Sequence, residues 1–203
     1  RTTQRLLALG AFSQASFSGL YARAELEGVA LRTPGKLVIY RNAGEFATVA
    51  SRLRSDPLNV EQVLDDQECL RVEPALAHSP VPLAGGVFTP GEAVADCYVL
   101  SLQLAERLRA HSHFRGFVQA TAQGFVIRGG RAVALRTDLG ELDAQAFVVA
   151  AGLQSRALAL SAGIRLPIYP LKGYSLTAPI GPEHKPPVVS VTDIEKKIPY
   201  AQI

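Results

Sequence analysis

Lys172 and the tyrosines near it are the residues of this chain best suited to hold a small charged ligand. Lys172 lies in a proline-bounded extended run, Pro167-Ile168-Tyr169-Pro170-Leu171-Lys172-Gly173-Tyr174-Ser175-Leu176-Thr177. An ammonium captures a carboxylate as a point charge. A tyrosine donates a hydrogen bond while its ring packs against a flat ligand, and Tyr169, Tyr174 and Tyr200 supply such rings. The same run also reads as ordinary strand with Lys172 in solvent. Just upstream, Phe147-Val148-Val149-Ala150-Ala151-Gly152 reads as an apolar strand entering a small-residue turn. Small residues let another molecule come close to the backbone. The order strand, tight turn, helix, proline-punctuated strand is that of a cofactor-contacting edge.

Other constellations are weaker. His78, His111, His113 and His184 lie in polar or loop-like surroundings, without a cysteine or acid at ligand spacing, and read as surface histidines; no metal site is expected. Ser155 and Ser175 are not in a Gly-x-Ser-x-Gly elbow. Glu92 and Asp96 form either a carboxylate pair or, for Asp96, an N-cap of the following helix. No catalytic residue is identifiable. Neither Gly-x-Gly-x-x-Gly nor the P-loop pattern occurs, so no phosphate-binding loop is formed within these residues.

The elements that must position these residues mix helix and strand. The 203 residues allow one large domain or two small ones, and 48% hydrophobic with 19% charged residues is globular composition. A net charge of +3, scattered as Arg52 and Arg54, Arg107 and Arg109, Lys196 and Lys197, argues against nucleic acid. Cys69 and Cys97 read as two reduced thiols of a cytoplasmic protein. There is no signal peptide and no apolar run of membrane-spanning length. The chain has no methionine and begins inside a helix, so it is expected to be a piece of a longer polypeptide.

Helices are expected over Thr2 to Glu27, with Leu6, Leu9, Phe17, Leu20 and Ala24 on one side and Gly28 as stop; over Glu45 to Arg54, closed by Pro57; from Asp65 or Asp66 to Val72; and from Asp96 to His111, with Val99, Leu102, Leu104, Ala105 and Leu108 inward. Short strands are expected at Leu37 to Tyr40 and Val87-Phe88. A β-meander follows, Phe114 to Ala120, Gly124 to Ile127, Ala132 to Thr137 and Leu142 to Ala150, with Arg128-Gly129-Gly130-Arg131 as a hairpin turn. Ser155 is expected to cap a short helix that Gly163 stops, and Val188 to Val191 with Ile198 to Ala201 forms a last hairpin. The fold class is α/β (mixed α+β).

Against these residues the chain resembles a known family. Gly85-Gly86-Val87-Phe88-Thr89-Pro90-Gly91-Glu92, then Asp96-Cys97 and Leu104-Ala105-Glu106, resemble the middle of flavin-dependent D-amino-acid dehydrogenases of the small-subunit type, in the D-amino-acid oxidase-like superfamily. Glu73-Pro74-Ala75-Leu76 and Pro170-Leu171-Lys172-Gly173-Tyr174-Ser175 are similar to elements of that family, and the likeness runs from about Gly35 to Tyr200.

The resemblance implies a partial two-domain FAD oxidoreductase fold with a β-meander and an antiparallel substrate-domain sheet, lacking the N-terminal dinucleotide-binding βαβ unit. It implies residues 1–34 as a connecting helix, 35–95 as part of the substrate domain, 96–165 as part of the FAD-binding domain and 166–203 as substrate-domain strands. Val118 would contact the FAD adenine through its backbone. Ala150, Ala151 and Gly152 would lie against the diphosphate and ribose, and Lys172, Gly173 and Tyr174 near flavin and substrate. The implied reaction is oxidation of an amino acid's Cα–N bond by hydride transfer to FAD, yielding a 2-oxo acid and ammonia. The implied partners are an amino-acid substrate and a respiratory electron acceptor, with peripheral association at the inner face of the plasma membrane. With the glycine loop missing, the 203-residue chain is expected to bind FAD weakly or not at all. Alternatives are a glycine, sarcosine or opine oxidase-like subunit, or a non-catalytic fragment that has lost its flavin site.

Overall fold

The computed structural model describes residues 2–23, 26 and 29–203. Their α-helices are α1 (Thr2–Arg23), α2 (Ala43–Ser55), α3 (Asp66–Val72), α4 (Cys97–Ala110) and α5 (Ser155–Ser161). Their strands are β1 (Lys36–Tyr40), β2 (Gln62–Leu64), β3 (Gly85–Thr89), β4 (Ala122–Arg128), β5 (Arg131–Thr137), β6 (Gly140–Asp143), β7 (Ser190–Asp193) and β8 (Ile198–Tyr200). Short 3₁₀ turns cover Pro74–His78 and Gly152–Gln154. The chain divides into two compact units, residues 1–114 with 179–203, and residues 115–178.

The first unit is built on a five-stranded sheet of order β2-β3-β1-β7-β8. In β1, Lys-Leu-Val-Ile-Tyr, alternate residues Leu37 and Ile39 are buried, the period that a pleated strand dictates. They pack with Leu64, Cys69, Val189 and Val191, and Val72, Leu76 and Phe88 border this core. At Gly86 the neighbouring layer comes so close that a Cβ there would lie 2.7 Å from the Cys69 sulfur and 2.9 Å from a Leu37 methyl. A side chain on that strand position would push α3 off the sheet.

The sheet is mixed, not wholly antiparallel. β1 pairs antiparallel with β3, β3 with β2 and β7 with β8, but β1 and β7 run parallel, with Leu37 opposite Val191. A parallel pair needs a long crossover, and here the whole second unit lies between the two strands in sequence.

The ends of the elements follow local rules. Asn42 caps α2, accepting the Gly44 and Glu45 N–H groups. Asp65, not Asp66, caps α3 in a reciprocal box with Glu68. Asp96 caps α4 by accepting from Tyr98 and Val99, so its carboxylate is committed to the helix and no pair with Glu92 forms. The expected inward residues of α4 are not buried among the described residues, and Leu6 and Leu9 of α1 are likewise exposed. The expected continuation of α1 through Ala24 to Glu27, and its stop at Gly28, lie outside the described residues.

The second unit is a three-stranded meander, β4-β5-β6, with α5 beside it. Arg128 pairs with Arg131 across a turn in which Gly129 and Gly130 both take positive φ, 56° and 76°, as a type I′ turn requires. One expected strand does not form and another is cut short. Residues 114–120 have no ladder partner, and the run expected to reach Ala150 leaves the sheet at Asp143. Neither segment finds a partner strand to take up its backbone hydrogen bonds among the described residues, although β4 and β6 are the edges of the sheet. Ser155 does not cap α5. It is the helix's first residue, and its hydroxyl instead accepts the Ala151 N–H at 3.0 Å. The helix ends as expected at Gly163, whose N–H reaches the Leu160 carbonyl while Ile164 N–H reaches Ala159, a Schellman pattern.

Candidate functional site

All seven residues singled out for cofactor and substrate fall in the second unit. Val118 is exposed in the irregular stretch before β4. Ala150, Ala151 and Gly152 are exposed at the entrance to the 3₁₀ turn that leads into α5. The Ala151 amide is tied to Ser155. The Gly152 amide has no partner among the described residues, and a Cβ on Gly152 would meet nothing within 4 Å. The apolar run before this turn is equally open: Val148 is 93% exposed, while Phe147 packs edge-on against Phe125 with ring centroids 5.2 Å apart. An apolar, small-residue wall with a free backbone donor is a surface that a flat, extended cofactor can cover. The residues present therefore fit one side of an FAD site, with no phosphate-binding loop among them.

Lys172, Gly173 and Tyr174 lie in the extended segment after α5, which pairs with no strand among the described residues. Leu171 is 98% exposed, Tyr174 90% and Leu176 95%. Neither Lys172 nor Tyr174 has a side-chain hydrogen bond or ion pair there. Large apolar side chains exposed this close together form a surface suited to a binding partner or ligand, and Lys172 stands among them without an ion pair among the described residues. Nearby, Arg156, Leu160, Arg165, Leu166, Pro167 and Tyr169 line a cleft of about 540 Å³.

The first unit holds a polar network that sequence reasoning did not assign to any role. Arg41, one residue past β1, donates from Nε to Asp193 Oδ2 at 2.9 Å and from Nη1 to the Val81 carbonyl at 2.6 Å. Asp193 also accepts the Lys196 N–H, and Glu195 accepts the Arg41 and Asn42 N–H groups at 2.7 and 2.8 Å. Burial pushes both carboxyls up, but these hydrogen bonds and, for Asp193, the Arg41 charge outweigh it and hold them below their ordinary values. The β7–β8 turn is thereby fastened to the end of β1. Glu73, fully buried, accepts from Ala75 with one oxygen and from Val188 and Val189 with the other. Glu73 was legible only as part of a Glu-Pro-Ala-Leu motif. Its neighbour Pro74 carries the remaining signal, since an acid ahead of a proline at a helix start is placed to cap it.

Among the described residues no cluster of three or more His, Cys, Asp or Glu is arranged to hold a metal ion. His113 N–H donates to the His111 ring at 3.2 Å.

Comparison with known proteins is consistent across the chain. A family profile described as "FAD dependent oxidoreductase" matches residues 2–201. The chain is 43% identical over 204 residues to D-amino acid dehydrogenase 2 of Pseudomonas aeruginosa, covering all of this chain and 48% of that protein. It is 38% identical to D-amino acid dehydrogenase 2 of Ralstonia nicotianae, covering all of this chain and 49% of that protein. The chain thus spans about half the length of the curated relatives it matches. Among solved structures, glycine oxidase from Geobacillus kaustophilus superimposes with a TM-score of 0.67 at 23% identity, over 81% of this chain and 45% of that one. L-proline dehydrogenase from P. horikoshii does so with a TM-score of 0.57 at 18% identity, over 74% of this chain and 40% of that one. These two likenesses concern the fold.

Proposed function

This chain belongs to the FAD dependent oxidoreductase family, and on that premise we propose that it forms the middle of an enzyme that oxidatively deaminates D-amino acids to 2-oxo acids and ammonia. The observation that carries this reading is identity of 43% over the whole chain with a protein named D-amino acid dehydrogenase 2. The exposure of Val118 and of the small-residue turn Ala150 to Gly152 supports it.

In this reading residues 96–165 belong to the FAD-binding part, 35–95 and 166–203 to the substrate-binding part, and 1–34 connect them. Val118 meets the adenine through its backbone, and Ala150, Ala151 and Gly152 border the diphosphate and ribose. They would do so with side chains no larger than a methyl, and Gly152 adds an N–H donor. FAD, when bound, supplies the acceptor for the hydride that leaves the substrate Cα. The Lys172 ammonium holds the substrate carboxylate, and Gly173 leaves room beside it. The Tyr174 ring closes against the ligand and shields it from water. The imino acid formed on loss of hydride and a proton is hydrolysed by water to the 2-oxo acid and ammonia. The electrons pass on to a respiratory acceptor, and the enzyme works from the cytoplasm as a peripheral protein of the inner face of the plasma membrane. Among the described residues no helix is long and apolar enough to cross a membrane.

The test uses the full-length polypeptide that carries these residues. D-alanine is expected to reduce a dye acceptor with FAD present, and glycine and sarcosine are not. Preference for glycine or sarcosine would overturn the assignment in favour of an oxidase of secondary or unsubstituted amines. Lys172→Ala is expected to raise KM for D-alanine by about ten-fold or more with kcat less affected, the signature of a lost ion-paired hydrogen bond to substrate. The 203-residue chain alone is expected to purify colourless, and stoichiometric yellow flavin would contradict its reading as one wall of the site.

A further inference from the structure

The first unit contains a cavity of about 300 Å³ on the face of the sheet that carries Ile39 and Val191. Its floor is apolar, from these two residues with Leu76, Pro80 and Pro187. Its volume is at the lower end for small-molecule sites. The two acids on its wall are committed elsewhere: Glu73 to three backbone N–H groups, Asp193 to the Arg41 Nε and the Lys196 N–H. Four polar groups on the wall have no hydrogen-bond partner among the described residues. They are the Arg41 Nη2, the Lys196 ammonium, the His78 ring and the Tyr200 hydroxyl. All four can donate, and the two cations can only donate.

We propose that this cavity is a binding site for a small monocarboxylate with a branched or cyclic apolar body. Arg41 is the anchor of the site because it is already immobilised by Asp193, Ser79 and Val81, so a ligand that meets its free nitrogen does not have to order it. Lys196 and Tyr200 stand on the β7–β8 turn and on β8, and His78 on the 3₁₀ turn, so the carboxylate would bridge the two sides of the cavity. The apolar floor takes the hydrocarbon body, and the cavity has room for a branched chain of four or five carbons. The site is formed wholly within the first unit and does not involve Lys172, Gly173 or Tyr174. It therefore does not rest on the flavin reading.

Isothermal titration of the full-length polypeptide with 4-methyl-2-oxopentanoate tests it. A binding event is expected that persists in Lys172→Ala and weakens about ten-fold in Lys196→Ala, with a smaller loss in Tyr200→Phe. Both altered side chains are exposed, so these variants retain the fold, which circular dichroism checks. The uncharged 4-methylpentanamide is expected not to compete. The proposal is overturned if no binding event survives Lys172→Ala, or if the surviving event is unchanged in the Lys196→Ala, Tyr200→Phe double variant.

Discussion

Arg41 and Asp193 stand 152 positions apart in sequence and meet at 2.9 Å, with 14% and 1% of their side chains exposed. The pair joins the end of β1 to the end of β7 at the parallel seam of the sheet. Removing the cation strands a buried carboxylate, which costs about 3–5 kcal/mol. Arg41→Ala is therefore expected to lower the urea midpoint at pH 7 much more than Asp193→Asn, which leaves the guanidinium partly solvated and still bonded to Val81. The Asp193 carboxyl is held below its ordinary value, so it contributes stability above the unfolded-state pKa of about 3.9 and loses it as pH falls through the folded-state value. Stability measured from pH 6 down to pH 2 is expected to fall less steeply in Asp193→Asn than in the parent. Equal slopes would show that Asp193 is not one of the acid-sensitive groups.

Glu73 carries three backbone N–H groups on one buried carboxylate. Glu73→Gln keeps the shape but replaces one acceptor oxygen with an amide that faces N–H donors. Each N–H left unpaired costs about 1–3 kcal/mol. Glu73→Gln is expected to destabilise the chain in urea, and amide exchange at Val188 and Val189 is expected to accelerate more than at β3. Unchanged exchange at those two amides would rule out the clamp.

Gly86 of β3 and Cys69 of α3 mark a close approach between sheet and helix. Gly86→Ala places a methyl 2.7 Å from the Cys69 sulfur, which is overpacking of a kind that costs about 1–3 kcal/mol. Cys69→Ala vacates that space. The double variant is expected to recover part of the loss of Gly86→Ala, and only part, because Leu37 still lies 2.9 Å from the added methyl. Strict additivity in a double-mutant cycle would mean that the two sites do not share this space.

The two thiols are expected to differ in reactivity. Burial, with lesser help from the carboxylates of Asp65, Glu68 and Asp66, pushes the Cys69 thiol up to about 12. Thiolate is the reactive form, so at pH 8 Cys69 is nearly all thiol as well as enclosed. Cys97 is exposed. Iodoacetamide followed by mass spectrometry is expected to label Cys97 in the native chain and both cysteines in urea. Native labelling of Cys69 at a similar rate would show that α3 opens readily from the sheet.

Much of the local structure was legible. The Asp65 and Asp96 caps, the Gly129-Gly130 turn, the Gly163 stop and β1 and β3 follow from residues a few positions apart. The family was legible too, because Glu73 to Leu76, Gly85 to Glu92 and Pro170 to Ser175 stand in a particular order. The misreadings have one form. Residues 114–120 and 144–150 have strand composition, but composition does not provide a neighbouring strand. Asp96 was one of two candidates for a carboxylate pair, whereas Glu73, read only as part of a motif, and Asp193, which carry the buried charges, were given no role. Nothing beside them in sequence marks a partner more than a hundred residues away.

Caps, turns and helix stops close their hydrogen bonds over two to five residues, so the order of side chains alone settles them, whatever the rest of the chain does. The sheet order β2-β3-β1-β7-β8, the parallel seam and the Arg41–Asp193 and Glu73 clamps close over much longer loops. Their energy comes from burial and pairing that exist only once the distant segments have met. The fate of Lys172 and Ala150 to Gly152 belongs to the same class: their residue types mark a ligand-facing edge, and the folded chain leaves that edge open because no strand among the described residues lies beside it.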